Sequence, residues 1–182
     1  MVRADPQIST IRRVSLPGTL RGKLTMSKHR AGLVVVGETV TVVHAEVPDD
    51  EGDPVTILSD NSWTLQQGER GAALSVLHQR CQNFCQQNNV EMVIIKASAL
   101  PQSSVKLAVL ESAEVRGVVI AAAASKTKVE ILSKAKISRT FGDRKVDEYI
   151  KDDGFWSEHI AGAKLKKTSR EAAMLILATR GL

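Results

Sequence analysis

Glu91-Met-Val-Ile-Ile-Lys-Ala97 is the stretch whose reading decides the fold. Its apolar run is continuous rather than alternating, the pattern of a strand buried on both faces in the middle of a helix-covered sheet. Upstream, Gly32-Leu-Val-Val-Val36 and Thr39 to Val47 are apolar and β-branched on either side of the turn signal Gly37-Glu38, which predicts a hairpin over Ala31 to Val47. After the acidic loop Pro48 to Pro54, a third strand is expected around Val55 to Ser59, with room to run on to Leu65.

From Gly68 to Asn88, the residues Leu74, Leu77, Cys81, Phe84 and Cys85 recur at threes and fours, one stripe of an amphipathic helix that Asn88-Asn89 stops. Beyond the central strand, Pro101 breaks the chain and a long helix is expected over Val105 to Ala124. Its Ala113, Gly117, Ala121 and Ala124 share one face, small enough for a sheet or another helix to approach closely. Glycine inside a helix costs about 1 kcal/mol relative to alanine, so Gly117 is expected to be packed. Val129 to Ser133 reads as a fifth strand, and Lys134 to Lys167 as a charged, irregular region with one short helix, Lys145 to Lys151. Phe155-Trp156, in that region, is expected either to anchor a partner or to cover one end of the core. A last helix runs from Ser169 to about Arg180.

A chain of 182 residues suffices for one α/β body with a real core and is too short for two full domains. The net charge of +5 suggests nucleic acid until it is located. Residues 1–30 carry Arg3, Arg12, Arg13, Arg21, Lys23, Lys28 and Arg30 against Asp5 alone, a net of +6, so residues 31–182 come to −1. The chain therefore divides into a basic leader without fixed structure, 1–30, and a folded domain, 31–182. The leader lacks the apolar run of a secretory signal, and Met26 is an alternative start. Two cysteines four apart do not make a disulfide framework, which suits a reducing cytoplasmic setting, and no apolar run reaches the length of a membrane span.

The order β-β-β-α-β-α-β-(α)-α is that of a ribonuclease H-like domain, a mixed five-stranded sheet in the order 3-2-1-4-5 with helices on both faces. Ser112-Ala-Glu-Val-Arg-Gly-Val-Val-Ile-Ala-Ala-Ala123 resembles the second core helix of RuvC-type Holliday-junction resolvases, whose Ala-Arg-Gly-Val pattern has an Ala-rich continuation. Val90 to Lys96 is similar to the strand before it and Thr168 to Thr179 to the closing helix, and a small group of RuvC-like bacterial domains is resembled about as well. The resemblance implies two divalent ions held by carboxylates from the first strand, the end of the central strand and the start of the last helix. Such ions need hard oxygen ligands to clamp the attacking and leaving oxygens of a phosphodiester. Carried over, the first-strand acid falls on Val34 or its neighbours Val35 and Val36, the central-strand acid on Lys96 or Ala97, and the last pair on Ser169 and Ala172. On this reading the metal site is degenerate and no metal or other cofactor is expected.

One replacement for those acids, and separately one soft-metal site of the kind that binds zinc, are weighed. Glu38, Glu171 and Glu111 or Glu114 would have to converge to rebuild a metal-dependent nuclease, whereas Thr168-Ser-Arg-Glu171 has the spacing of a capping box that uses Glu171 locally. His78, Cys81 and Cys85 share a helical face, but both cysteines lie on the apolar stripe and pack as small hydrophobes. His29, His44 and His159 are isolated in sequence. Lys126, Lys128, Lys134, Lys136 and Arg139 flank the fifth strand; Lys164, Lys166, Lys167 and Arg170 lead into the last helix and, with Lys96, are candidates for holding a phosphate backbone beside the vacated site. Only 3% of the chain is aromatic, which argues against base stacking. The expectation is a catalytically inactive RuvC-like module that binds or scaffolds DNA, RNA or a protein partner. The alternatives are a nuclease with relocated carboxylates and a homo-oligomeric structural protein, the latter a homodimer through the small-residue helix.

Overall fold

The computed structural model describes residues 27–98, 107–142 and 144–181. The leader up to residue 26, Pro101 and the Val105 start of the long helix lie outside the described residues. Strands β1 (Lys28–Val36) and β2 (Thr39–Val47) form the expected hairpin; Gly37, at φ 57°, takes a turn conformation that side chains disfavour. The first strand starts three residues before Ala31, because Arg30, counted with the leader, is buried and its guanidinium donates to the Thr179 carbonyl. β3 (Val55–Thr64) runs antiparallel to β2 with a bulge opposite His44 and Ala45, where Leu58 is the extra residue.

Helix α1 (Arg70–Gln87) is capped by Glu69, whose carboxylate accepts from the amides of Gly71 and Ala72, and it leads to β4 (Met92–Lys96). β4 lies parallel to β1 on one side and to β5 (Lys128–Leu132) on the other, which explains its unbroken apolar run. Helix α2 (Leu107–Ala124) makes the crossover to β5. The five expected strands stand in the expected order, and a short sixth, β6 (Ile160–Gly162), extends the sheet to β5-β4-β1-β2-β3-β6.

The region expected to be irregular contains α3 (Lys134–Phe141), α4 (Val146–Lys151), α5 (Asp153–His159) and β6. Each helix has six to eight residues and contributes only one or two buried anchors, Ile137, Val146, Tyr149, Phe155 and Trp156, too few for a periodic signal. Local caps define them instead: Ser133 accepts from the Lys136 amide and Asp152 from the Phe155 amide. Phe155 and Trp156 cover the core, the Trp156 indole donating to the Tyr149 carbonyl at 2.8 Å. A 3-10 turn, Lys167–Ser169, leads into α6 (Arg170–Leu177).

Strand alternation divides the core in two. Ala31, Leu33, Val35, Val40, Val42, Val93 and Ile95 pack against α1 and α2; Val34, Val43, Ala45, Met92 and Ile94 pack against α6 and the short helices. At the centre of the second face α6 lies directly on β1, where a Cβ on Gly32 would sit 2.0 Å from the Ala172 carbonyl oxygen. The small-residue face of α2 does not pack within the chain: Ala113, Gly117, Ala121 and Ala124 are exposed, and a Cβ at Gly117 would meet nothing within 4 Å. Val115, Val119, Ala122 and Ala123 are buried instead, because the larger β-branched side chains fill the space over the sheet.

His44, 3% exposed, stands edge-on to Phe84 of α1, with its Nε2 3.2 Å from His29 Nδ1. Burial, and secondarily the charge of His29, push its pKa down to about 4. The folded state thus holds His44 neutral in a range where the unfolded chain binds a proton below about 6.5. That contribution is present above pH 6.5 and is lost as pH falls towards 4. Urea unfolding should show about 2 kcal/mol lost between pH 7 and 4.5, and His44→Gln should remove most of that slope; a slope unchanged in the variant would refute the assignment.

Candidate functional site

The register that sets Gly32 beside Ile94 and Leu33 beside Ile95 brings Val34 level with Lys96 when continued by one residue, both on the α6 face. Val34 is 5% exposed and Ala172 fully buried, so two of the five positions to which the resemblance carried a metal site are packed hydrocarbon. Ala97 donates its amide to the Leu132 carbonyl at 2.8 Å, tying the exit of β4 to β5. The fold brings Lys96 within reach of a residue that sequence spacing assigned elsewhere: its Nζ lies 2.6 Å from Glu171 Oε1, with both side chains less than a third exposed.

The capping box is not formed. The helix begins at Arg170 with no side-chain cap, Ser169 Oγ instead donates to Asp60 Oδ1 at 2.6 Å, and Glu171 turns to Lys96. Asp60, on β3, also accepts the Lys166 amide at 2.9 Å and thereby positions the start of α6 against the sheet. Sequence reading passed over Asp60 because the alternation set by Val55 and Ile57 points it away from α6; the bulge at Leu58 shifts that alternation and brings Asp60 to the face of Val43. Next to this cluster, Lys134 Nζ donates to both oxygens of Asp147. The Asp147 carboxyl is held below its ordinary range, first by that hydrogen bond and further by the charges of Lys134, Lys151 and Lys96. The α6 face at the end of β4 is therefore a set of matched ion pairs.

The acids weighed as relocated ligands do not converge on an open site. Arg70 takes Glu38 at 3.1 Å and Glu114 at 2.7 Å, and its Nη2 reaches the Glu111 carbonyl at 3.5 Å. Among the described residues no three of His, Cys, Asp or Glu could hold a metal ion. Cys81 and Cys85 are free and buried in the core; the hydrogen bond with Cys85, and then burial, push the Cys81 thiol up. Two divalent ions do not fit the donors at Val34, Lys96, Ala97, Ser169 and Ala172: one is a cation, three are hydrocarbon, and the hydroxyl is committed to Asp60.

Of the cations expected to line a phosphate groove, Arg170 is turned inward. It is 8% exposed, donates to the Ile150 carbonyl at 2.9 Å and to Asp153, and lies over the Trp156 ring. It joins three elements because an inward helix position next to α5 leaves no path to solvent. Lys167 is 3.5 Å from the other Asp153 oxygen, the Lys166 main and side chains both reach Asp60, and Lys164 is exposed. Lys126, Lys128, Lys136 and Arg139 are exposed around β5 and α3.

A mixed sheet containing the order 5-4-1-2-3, two helices on one face and the closing helix across β1 and β4 make a RuvC-like, ribonuclease H-like fold. The solved structures similar to it agree. Thermus thermophilus RuvC superposes with a TM-score of 0.65 at 12% identity, covering 82% of this chain and 92% of that one. T. thermophilus RuvC in complex with Holliday junction substrate gives 0.63 at 12%, covering 82% and 91%. The yeast mitochondrial Holliday junction resolvase Ydc2 gives 0.57 at 12%, covering 84% and 78%. At such identities the likeness establishes the fold. No protein-family model and no curated protein matches the chain in sequence. No helix among the described residues is long and apolar enough to cross a membrane.

The Lys96–Glu171 pair has a thermodynamic signature. Lys96→Met or Glu171→Leu alone leaves a partly buried charge uncompensated and should cost about 1–3 kcal/mol, whereas the double variant should recover most of it. Chemical denaturation of the four proteins gives the coupling; strict additivity would mean that the contact contributes nothing.

Proposed function

We propose that this chain is a RuvC-like domain without nuclease activity that serves as a binding or scaffold module for nucleic acid in a cytoplasmic complex. The observation that carries the reading is the 2.6 Å contact of Lys96 with Glu171, next to Val34 and Ala172, on the face where a RuvC-type site would gather its carboxylates. A lysine ammonium there satisfies Glu171 and repels a divalent ion, so the two-metal clamp has neither ligands nor a favourable field. The similar solved proteins, a RuvC bound to Holliday junction substrate and a Holliday junction resolvase, make branched DNA the first ligand to test.

Most of the attraction to a phosphate backbone belongs to residues 1–30, because the groove lysines are largely paired and residues 31–182 come to −1. Four-way junction DNA with magnesium or manganese should stay intact. Binding should weaken steeply with salt, and replacing Arg3, Arg12, Arg13, Arg21 and Lys23 by Gln should lower the slope of log affinity against log salt by about 3–4. Cleavage of the junction, or a slope governed by Lys164 and Lys167 alone, would contradict the reading.

Homodimerisation through α2 is a second reading that one observation favours. Leu107 is 70% and Leu110 54% exposed, and the face of Ala113, Gly117 and Ala121 continues the same open surface. A small-residue ridge lets two helices approach until their backbones nearly touch, while exposed leucines supply apolar area. Light scattering at two concentrations should give a dimer that Leu110→Glu and Gly117→Leu each convert to monomer; a concentration-independent monomer would exclude it.

A further inference from the structure

A groove of about 630 Å³ lies between the outer half of β3 and the exposed side of α1, on the face opposite the Lys96 cluster. Its floor is Trp63, 3% exposed, with Phe84 edge-on at 5.2 Å, and the Arg80 guanidinium lies 5.0 Å from the Trp63 ring centroid. Val76 and four carboxamides line the rest, Asn61 from the strand and Gln79, Asn83 and Gln87 from the helix. Gln79 Nε2 donates to Asn83 Oδ1, which leaves the Gln79 oxygen and the Asn83 amino group for a ligand.

The strand beside this groove is an open edge. β6 pairs with β3 only at Val55, Thr56 and Ile57, and the Asp60 carbonyl faces outward to Lys166 Nζ at 3.5 Å. Antiparallel ladders alternate inward and outward main-chain groups, so Ser62 and Thr64 turn their N–H and C=O to the same side as Asp60. Among the described residues no strand lies there. An edge with unmet donors and acceptors is a template for another extended chain.

We propose that the β3 edge and the α1 groove together bind an extended, acidic peptide segment of a partner protein, added as a strand against Ser62 and Thr64. Main-chain pairing supplies affinity, and alternate side chains enter the groove. Carboxamides present donor and acceptor together and so match a peptide main chain of any sequence. Among the described residues Arg80 is the one charged group lining the groove and no acid lines it, which selects a carboxylate on the incoming chain. A single cation and a covered tryptophan suit a nucleic-acid strand poorly, since that needs a run of cations and open rings for stacking. The chain's own residues 1–26 carry arginines and would face Arg80 with like charge.

The test uses the full chain, an acetylated and amidated heptapeptide of alternating valine and glutamate, and its lysine counterpart. In amide NMR titrations the glutamate peptide should shift and protect the Ser62 and Thr64 amides and bind at least about tenfold more tightly than the lysine peptide, one charge contact's worth of affinity. Arg80→Gln should erase that preference. Ser62→Pro removes an outward N–H while keeping the ladder to β2, as edge positions tolerate, and should abolish binding with the fold intact by circular dichroism. Equal binding of both peptides, shifts confined to other surfaces, displacement by oligothymidylate, or Ser62 and Thr64 amides already protected from exchange without peptide would each overturn the proposal. The last result would mean that the edge is already occupied.

Discussion

Everything on the α6 side of the molecule depends on the absence of one side chain. Gly32 lets the backbone of α6 come down onto β1 at Ala172, closer than any Cβ would permit. From that contact follow the burial of Met174, Leu175 and Ile176, the cover that α3, α4 and α5 supply around them, and the approach of Glu171 to Lys96. Packed interiors have little slack, so even one methyl group there must displace the helix. The ion pair at the helix start is thus positioned by a steric contact rather than by its own attraction.

The charge pattern has one logic throughout. Three of the four acids weighed as nuclease ligands, and two more beside the site, are matched with a cation: Glu171 with Lys96, Glu38 and Glu114 with Arg70, Asp147 with Lys134 and Asp153 with Arg170. Matched pairs neutralise locally and fix the relative placement of elements, whereas clustered acids would repel one another unless an ion sat between them. A surface of this kind is suited to holding shape and offering faces. Two such faces stand out, the exposed ridge of α2 and the open edge of β3, on elements that the ion pairs of the α6 side do not reach.

How much could be read in advance depended on the kind of signal. β4 was legible because a strand with neighbours on both sides and helices on both faces must be apolar at every position. The α1 stripe was legible because its period survives over eighteen residues. Lys134 to Lys167 was not, since helices of six to eight residues with one or two anchors each carry no period. Gly117 and Thr168-Ser-Arg-Glu171 misled for a related reason: helix spacing shows which residues share a face, but not whether that face meets the sheet or solvent, nor whether a nearby lysine attracts a carboxylate more strongly than the helix amides do.

The amino-acid sequence by itself determined the order of the elements from β1 to β5, the central strand and the apolar character of Val34, because hydrophobic period and turn chemistry are local properties of the chain. Only the tertiary structure decided that Lys96 meets Glu171, that Ser169 serves Asp60 and that Arg170 faces inward, since these contacts join residues some 20 to 109 positions apart. Such pairings are set by strand register and by the depth at which α6 packs, neither of which is written in the spacing of the residues themselves.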